Sequence, residues 1–123
     1  MAQTREVVIT GLGAVCPLGV GKEAVWAALT AGKSGVRPIA EFAGTELPYR
    51  FGGKIEGFEP KEYVQPRKTL KVMSSEIQAA YSAAMLALQD AGLGKDAVAP
   101  ERLGVVLGSE MLYGELPELA DAY

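Results

Sequence analysis

The stretch REVVITGLGAVCPLG, residues 5–19, places a β-branched run directly before two closely spaced glycines and the single cysteine of this 123-residue chain. Residues 7–9 are contiguous apolar residues that do not alternate with polar ones, which predicts a strand over Arg5 to Thr10 that is covered on both faces. Gly11 and Gly13 then end that strand. They belong either to a phosphate-binding turn of a nucleotide-binding fold or to a tight strand-to-helix turn without a ligand.

A helix and an irregular stretch follow these glycines. The helix is predicted from Lys22 to Ala31, and Gly32 is suited to end it in a left-handed conformation. Its apolar side chains on one side are Val25, Trp26 and Leu29. Residues 33–66 are rich in glycine, proline and charge, and FGGKIEGF at 51–58 indicates a short edge strand.

A longer helix starts at Ser74 or Ser75, where Ser75 and Gln78 form a capping-box pattern. Its apolar stripe faces a core, and its other faces are small or apolar, so we expect it to be buried nearly all round. The stripe consists of Ile77, Ala80, Tyr81, Ala84, Met85 and Leu88. Gly92 and Leu93 fit a Schellman ending. LGVVLG at 103–108 predicts a second buried strand, so the element order predicts an α/β fold with parallel strands joined by helical crossovers.

Composition restricts the possible functions. The chain has 12 basic and 15 acidic residues and a net charge of −3, which argues against a broad nucleic-acid surface. It contains no apolar run long enough for a bilayer and no signal-peptide pattern, so a cytoplasmic location is expected. One cysteine cannot form an internal disulfide. The absence of histidine excludes Ser-His and Cys-His catalytic pairs and Cys/His zinc sites within these residues.

Two nucleotide-binding motifs match incompletely. G-x-G-x-x-G requires a third glycine at Cys16, and no strand-like run precedes Glu41, where an acidic ribose ligand would be wanted. AGKSG at 31–35 ends like a P-loop, but it follows a helix and position 27 is Ala27. We therefore interpret AGKSG as a helix end and a polar turn. Dinucleotide binding stays a minor alternative.

An ordered set of longer segments carries a more specific signal. The segments are VVITGLGAVCPLG, WAALTAGKSGV, FGGKIEGFEPKEYV, RKTLKVM, IQAAYSAAMLALQDAGL and RLGVVLGS. Taken together they resemble the N-terminal part of the β-ketoacyl-acyl-carrier-protein synthases, the elongating condensing enzymes. The resemblance implies a thiolase-like layered α-β-α-β-α fold with a mostly parallel or mixed sheet and a buried helix. Residues 1–123 would form an incomplete β-ketoacyl synthase N-terminal domain that stops before the catalytic cysteine.

The family resemblance also implies a reaction. An acyl group is transferred to the nucleophilic cysteine, malonyl-carrier protein is decarboxylated, and the carbanion attacks the acyl thioester in fatty-acid or polyketide-type synthesis. The family's cysteine and two histidines would lie beyond these residues, so we expect no catalytic residue here and no activity from the chain alone. No cofactor is expected; substrates would arrive on the phosphopantetheine of acyl carrier protein, and the full-length enzyme would be a homodimer. The alternative is a non-catalytic ketosynthase-like subunit or carrier-protein-binding module.

Five positions receive specific expectations. The resemblance places Arg67, Lys68 and Lys71 on a surface that docks acidic carrier protein, and complementary charge would speed that encounter. It places Met111 near the acyl-chain pocket, although GSEMLYG at 108–114 departs from the glycine-rich sequence of many relatives. A solvated helix start and a packing methionine are the competing interpretations. Cys16 is expected to be a small packing residue in the first turn.

Overall fold

Two α-helices dominate the part of the chain that the computed structural model describes, residues 6–46, 48–94 and 96–109. Helix α1 covers Lys22–Thr30 and helix α2 covers Ser75–Asp90. Four two-residue strands form two antiparallel pairs, β1 with β2 and β3 with β4. These are β1 Val15–Cys16, β2 Gly19–Val20, β3 Arg37–Pro38 and β4 Phe51–Gly52. Short 3-10 helices lie at Ala40–Phe42, Pro60–Glu62, Arg67–Val72 and Pro100–Arg102.

The prediction for the first helix is confirmed, with an end one residue earlier than expected. Gly32 has a φ of 64°, the left-handed conformation that favours glycine. The backbone N–H of Lys33 donates to the carbonyl of Ala28 at 2.9 Å, and that of Gly32 donates to Leu29 at 3.0 Å. These two bonds form a Schellman ending, which satisfies carbonyls that the helix itself leaves without partners.

The second helix is also confirmed, but its N-terminal cap differs from the prediction. Ser74 is the N-cap in an extended conformation, and its Oγ accepts from the backbone N–H of Ile77 at 3.5 Å. The capping box predicted for Ser75 and Gln78 is wrong, because the cap at Ser74 places Ser75 inside the first helical turn. The Gln78 side chain instead donates to the carbonyl of Met73 at 2.8 Å.

The predicted end of α2 is confirmed. Gly92 has a φ of 68°, and the backbone N–H of Leu93 donates to the carbonyl of Leu88 at 2.9 Å. The prediction that α2 is buried nearly all round is wrong. Ser82 is fully buried, whereas Tyr81 is 39% exposed and the rest of the predicted stripe is half-buried or exposed.

The two predicted strands are wrong for the described residues. Neither residues 6–10 nor residues 103–108 pair with another segment. Val7 and Ile9 are 90% and 82% exposed, and Val105 and Val106 are 84% and 100% exposed. A parallel strand is stabilised by neighbours on both sides and on both faces, and the described part of the chain supplies none of them. The expected parallel sheet is therefore absent from it.

The expected edge strand is confirmed in shortened form. Within residues 51–58 only β4 pairs, with Arg37 opposite Gly52 and Pro38 opposite Phe51. Ile39 extends the pairing, since its backbone N–H donates to the carbonyl of Arg50 at 2.8 Å. Among the described helices, none combines the length and apolar character that a bilayer crossing requires.

Candidate functional site

The glycines of the opening stretch cross the backbone of α2 at very short range. A Cβ built on Gly11 would lie 2.2 Å from the carbonyl oxygen of Ala87, and one on Gly13 would lie 2.0 Å from that of Ala83. Neither glycine has a positive φ. The prediction of a tight strand-to-helix turn at these glycines is therefore wrong: they are required for close approach, and the alanines of α2 provide the matching small surface.

This crossing bears on both nucleotide motifs. The space beside Gly11 and Gly13, into which a pyrophosphate would have to fit, is occupied by the backbone of α2. The next helix starts only at Lys22, so its N-terminus does not follow the glycines directly as the dinucleotide motif requires. Gly32 ends α1, and Ser34 accepts from the backbone N–H of Val36 at 3.1 Å, which is a polar turn. The interpretation of AGKSG as a helix end and a turn is confirmed.

Asp90 joins three segments near the glycine crossing. Its carboxylate accepts from the backbone N–H of Leu12 at 2.9 Å and from the ammonium group of Lys22. The hydrogen bond from Lys22, and then that from Leu12, holds the pKa of Asp90 below its ordinary value of 3.8. The hydrogen bond between Lys22 and Asp90 also raises the pKa of Lys22. Asp90 thus ties the N-terminal segment and the start of α1 to the end of α2.

Cys16 lies in the hairpin that β1 and β2 form. It is half-buried, its thiol is free, and it stands opposite Gly19. Within the described residues its sulfur forms no hydrogen bond with a base or with a cationic side chain. A nucleophilic thiolate needs such a group, or a helix N-terminus, to lower its pKa. Its role as a packing residue stays a prediction.

The predicted basic cluster lies on the 3-10 helix Arg67–Val72, immediately before α2. Arg67, Lys68 and Lys71 are all exposed, and none forms an ion pair with an acidic side chain in the described parts of the chain. Val64, which is 1% exposed, anchors the preceding segment. The hydroxyl of Thr69 donates to the carbonyl of Pro66 at 2.8 Å and fixes the first turn. The three basic side chains are therefore exposed on a segment whose backbone is held by a buried side chain and a side-chain hydrogen bond.

Two further expectations concern the acyl pocket and metal binding. Met111 lies outside the described residues, so its expected place near an acyl-chain pocket stays a prediction. Among the residues that the structure does describe, no group of three or more His, Cys, Asp or Glu side chains is placed to hold a metal ion.

Sequence reasoning missed an apolar groove of about 380 Å³ beside α1. We call it the α1 groove. Its apolar lining residues are Leu12, Ala14, Val25, Trp26 and Leu29, and Lys22 and Glu23 line it as well. Trp26 is 68% exposed and Leu29 is 54% exposed. The sequence places the large apolar residues of α1 on one side, but only the structure shows that this side faces outward.

A second groove, of about 460 Å³, runs along α2. Tyr81, Met85 and Leu88 of α2 line it, and Leu93, Val98 and Leu103 are among the other lining residues. The stripe predicted as core thus borders a groove over much of its length. This explains why these side chains are only partly buried.

Comparison with known proteins identifies the chain's family. A family model described as the N-terminal domain of β-ketoacyl synthase matches residues 4–122. The chain is 36% identical over 121 residues to 3-oxoacyl-[acyl-carrier-protein] synthase 2 of Coxiella burnetii, covering 98% of this chain and 28% of that protein. It is 39% identical over 112 residues to the granaticin polyketide putative beta-ketoacyl synthase 1 of Streptomyces violaceoruber, covering 86% of this chain and 25% of that protein.

A solved structure supports the same family. The ishigamide ketosynthase/chain length factor aligns with a TM-score of 0.67 and 35% identity, covering 78% of this chain and 24% of that one. These features define a ketosynthase-type protein. The chain belongs to the β-ketoacyl synthase family and matches its N-terminal domain. It spans about a quarter of the length of the relatives named here.

Proposed function

We propose that the chain contributes the N-terminal part of a 3-oxoacyl-[acyl-carrier-protein] synthase, which condenses malonyl-carrier protein with an acyl thioester in fatty-acid or polyketide-type synthesis. The match of residues 4–122 to the family's N-terminal domain carries this proposal. The nucleophilic cysteine and two histidines would come from polypeptide beyond these 123 residues. In the assembled enzyme we expect the layered α-β-α-β-α arrangement and a homodimer.

The chain alone is proposed to be inactive. It contains no histidine, so it lacks an imidazole to stabilise a developing oxyanion. Its cysteine, Cys16, lies in a hairpin without a hydrogen-bonded base among the described residues. Condensation of acyl- and malonyl-carrier protein should therefore stay at the level of the buffer control. Turnover by the purified chain, abolished by Cys16→Ser, would contradict this assignment.

The partner at the basic cluster is proposed to be acyl carrier protein, with the substrate held on its phosphopantetheine. Arg67, Lys68 and Lys71 are exposed and lack an acidic partner among the described residues, so an acidic protein surface meets them without first breaking an ion pair. Their position on one short helix keeps the charges together.

The test is binding of fluorescently labelled acyl carrier protein to the chain. The double variant Arg67→Glu/Lys68→Glu should weaken the affinity at least about 10-fold, because opposite charges become like charges. Lys33→Glu/Arg102→Glu is the matched control, since it changes the net charge equally at two other exposed positions. An equal loss of affinity in both double variants would show that only net charge matters, and it would contradict the assignment of Arg67, Lys68 and Lys71 as the docking surface.

A second candidate is a non-catalytic ketosynthase-like subunit or carrier-protein-binding module. The observation that favours it is the exposed basic cluster in a chain without histidine. The two proposed functions can be distinguished by mixing the chain with the portion of the Coxiella synthase that it does not match and measuring condensation. Restored condensation supports the enzyme. Carrier-protein binding without any restored condensation supports the binding module.

A further inference from the structure

The first turn of α2 carries a carboxylate oxygen that lacks a hydrogen-bond donor. Glu76 is half-buried, and its Oε2 atom is buried without a partner among the described residues. The hydrogen bond from its own backbone N–H, and then that from the hydroxyl of Ser74, holds the pKa of Glu76 below its ordinary value of 4.5. The side chain is therefore charged at neutral pH. A buried charged oxygen without a donor is costly, so folded proteins almost always supply one.

Glu76 also lines a small cavity of about 140 Å³, which the first turns of α2 share with residues 107–109. The helix contributes Ile77 and Ala80 to the lining as well, and the segment 107–109 contributes all three of its residues. Within the described parts of the chain, the backbone N–H of Gly108 forms no hydrogen bond. An acceptor and a donor, each without a partner there, thus border one cavity that is large enough for a water molecule.

The donor available to Glu76 at this cavity is a main-chain group. No lysine or arginine is among the described residues that line the cavity. An added Cβ on Gly108 would meet nothing within 4 Å, so the surroundings of its backbone leave room for a water. Bridging waters satisfy buried polar groups nearly as well as direct hydrogen bonds do. A water between Oε2 and the N–H of Gly108 would therefore connect α2 to the segment 107–109.

We propose that Glu76 is a positioning residue, which holds the segment 107–109 at the start of α2 through a water molecule that bridges Oε2 and the backbone N–H of Gly108. This segment leads in the sequence to Met111, which is predicted to lie near the acyl-chain pocket. Glu76 thereby helps to set which acyl chain lengths the pocket accepts. This consequence rests on the proposed function, whereas the contact between Glu76 and Gly108 does not.

The first test follows the amide proton of Gly108 by NMR while the chain is titrated with acid. Glu76 is the only titratable side chain among the described residues that line the cavity. The amide should therefore shift as Glu76 takes up a proton below pH 4.5, and it should show a cross-peak to a long-lived water. Glu76→Gln should remove the titration step, while circular dichroism checks that the helix content is retained.

Glu110→Gln is the control for this titration. Glu110 is two positions from Gly108 in the sequence, so its own protonation would act on the same amide without any bridge. This variant should keep both the titration step and the water cross-peak. A step that persists in Glu76→Gln, a step that disappears in Glu110→Gln, or a Gly108 amide without a water cross-peak would each overturn the proposal.

The second test measures acyl-chain preference after the chain is mixed with the portion of the Coxiella synthase that it does not match. Glu76→Ala should change the ratio of kcat/KM for dodecanoyl- over octanoyl-carrier protein by roughly 10-fold, the lower end of the effect of one methylene in a hydrophobic pocket. Glu76→Gln keeps an acceptor oxygen and should retain the preference. Equal losses of kcat/KM at both chain lengths would show a merely structural role and would overturn the assignment to chain-length selection. If the unsubstituted mixture does not condense, the proposed function fails, and the amide titration alone decides whether Glu76 positions the segment.

Discussion

Gly13 lies against the backbone of α2 so closely that a Cβ on it would stand 2.0 Å from the carbonyl oxygen of Ala83 and 2.6 Å from the backbone nitrogen of Ala87. The two glycines of the opening stretch contact successive turns of α2, since Gly11 meets Ala87 and Ala91. The crossing therefore fixes both the distance and the direction of the N-terminal segment on the helix.

The first prediction concerns the substitution Gly13→Ala. The added methyl group meets helix backbone, which cannot move aside like the end of a flexible side chain. We expect the free energy of unfolding to fall by about 1–3 kcal/mol, the usual cost of overpacking a well-filled contact. Urea unfolding monitored by circular dichroism measures it.

Gly94→Ala is the matched control for this substitution. A Cβ on Gly94 meets nothing within 4 Å, and its backbone is outside the left-handed region. We expect a change within about 0.5 kcal/mol, as for an ordinary surface substitution. Equal destabilisation by the two variants would show that the Gly13 crossing does not hold the segment on α2.

The second prediction concerns acid stability through Asp90. The folded-state pKa of Asp90 is lowered by the hydrogen bond from Lys22 and then by that from Leu12. The carboxylate of Asp90 therefore binds a proton more readily in the unfolded chain than in the folded one. Its contribution to the free energy of unfolding is fully present above the ordinary pKa of 3.8, and it is lost as the pH falls through the lower pKa of the folded state. In Asp90→Asn, the free energy of unfolding should therefore depend less on pH in the acid range than it does in the unsubstituted chain.

The control for Asp90 is Glu23→Gln. Glu23 approaches the same ammonium group of Lys22 only at 3.9 Å, and its side chain is 81% exposed. Its variant should keep the acid profile of the unsubstituted chain. Some acid sensitivity should persist in both variants, because Lys54 lowers the pKa of Glu41 and backbone and serine hydrogen bonds lower that of Glu76. An unchanged profile in Asp90→Asn would contradict the assignment.

The third prediction distinguishes the two serines before α2. Ser74→Ala removes the side-chain oxygen that accepts from Ile77 and should lower the free energy of unfolding by roughly 1 kcal/mol. Ser75→Ala lies within the first turn, where alanine is a better helix former, and should leave stability unchanged or slightly raised. Thermal unfolding of both variants measures the difference. A larger loss of stability in Ser75→Ala than in Ser74→Ala would contradict this assignment and would support the capping box of Ser75 and Gln78.

Sequence reasoning succeeds here wherever structure is decided locally. The ends of both helices depend on Gly32 and Gly92, whose freedom to adopt positive φ and whose hydrogen bonds to the preceding turn are local properties. The cap was missed by one residue because Ser74 and Ser75 are adjacent and chemically equivalent. Only the backbone conformation of Ser74 distinguishes them.

The failures depend on distant partners. The runs 6–10 and 103–108 have the composition of buried strands, but burial and pairing require neighbours that the described part of the chain does not supply. The role of Gly13 depends on Ala83, 70 positions further along the chain, which no local turn pattern reveals. By contrast, the exposure of Arg67, Lys68 and Lys71 was expected from the sequence, and the structure adds that all three lie on one short 3-10 helix.

The fourth prediction concerns the salt dependence of carrier-protein binding. If Arg67, Lys68 and Lys71 meet an acidic partner while exposed to water, their attraction is screened as ionic strength rises. The affinity of the unsubstituted chain should fall at least about 10-fold between 0.05 M and 0.5 M salt, mainly through slower association. Stopped-flow fluorescence measures this. Arg67→Glu/Lys68→Glu should lose most of the salt dependence, whereas Lys33→Glu/Arg102→Glu should keep it. Salt-independent binding of the unsubstituted chain would mean that apolar contacts elsewhere hold the carrier protein and that the cluster is only a solvated helix start.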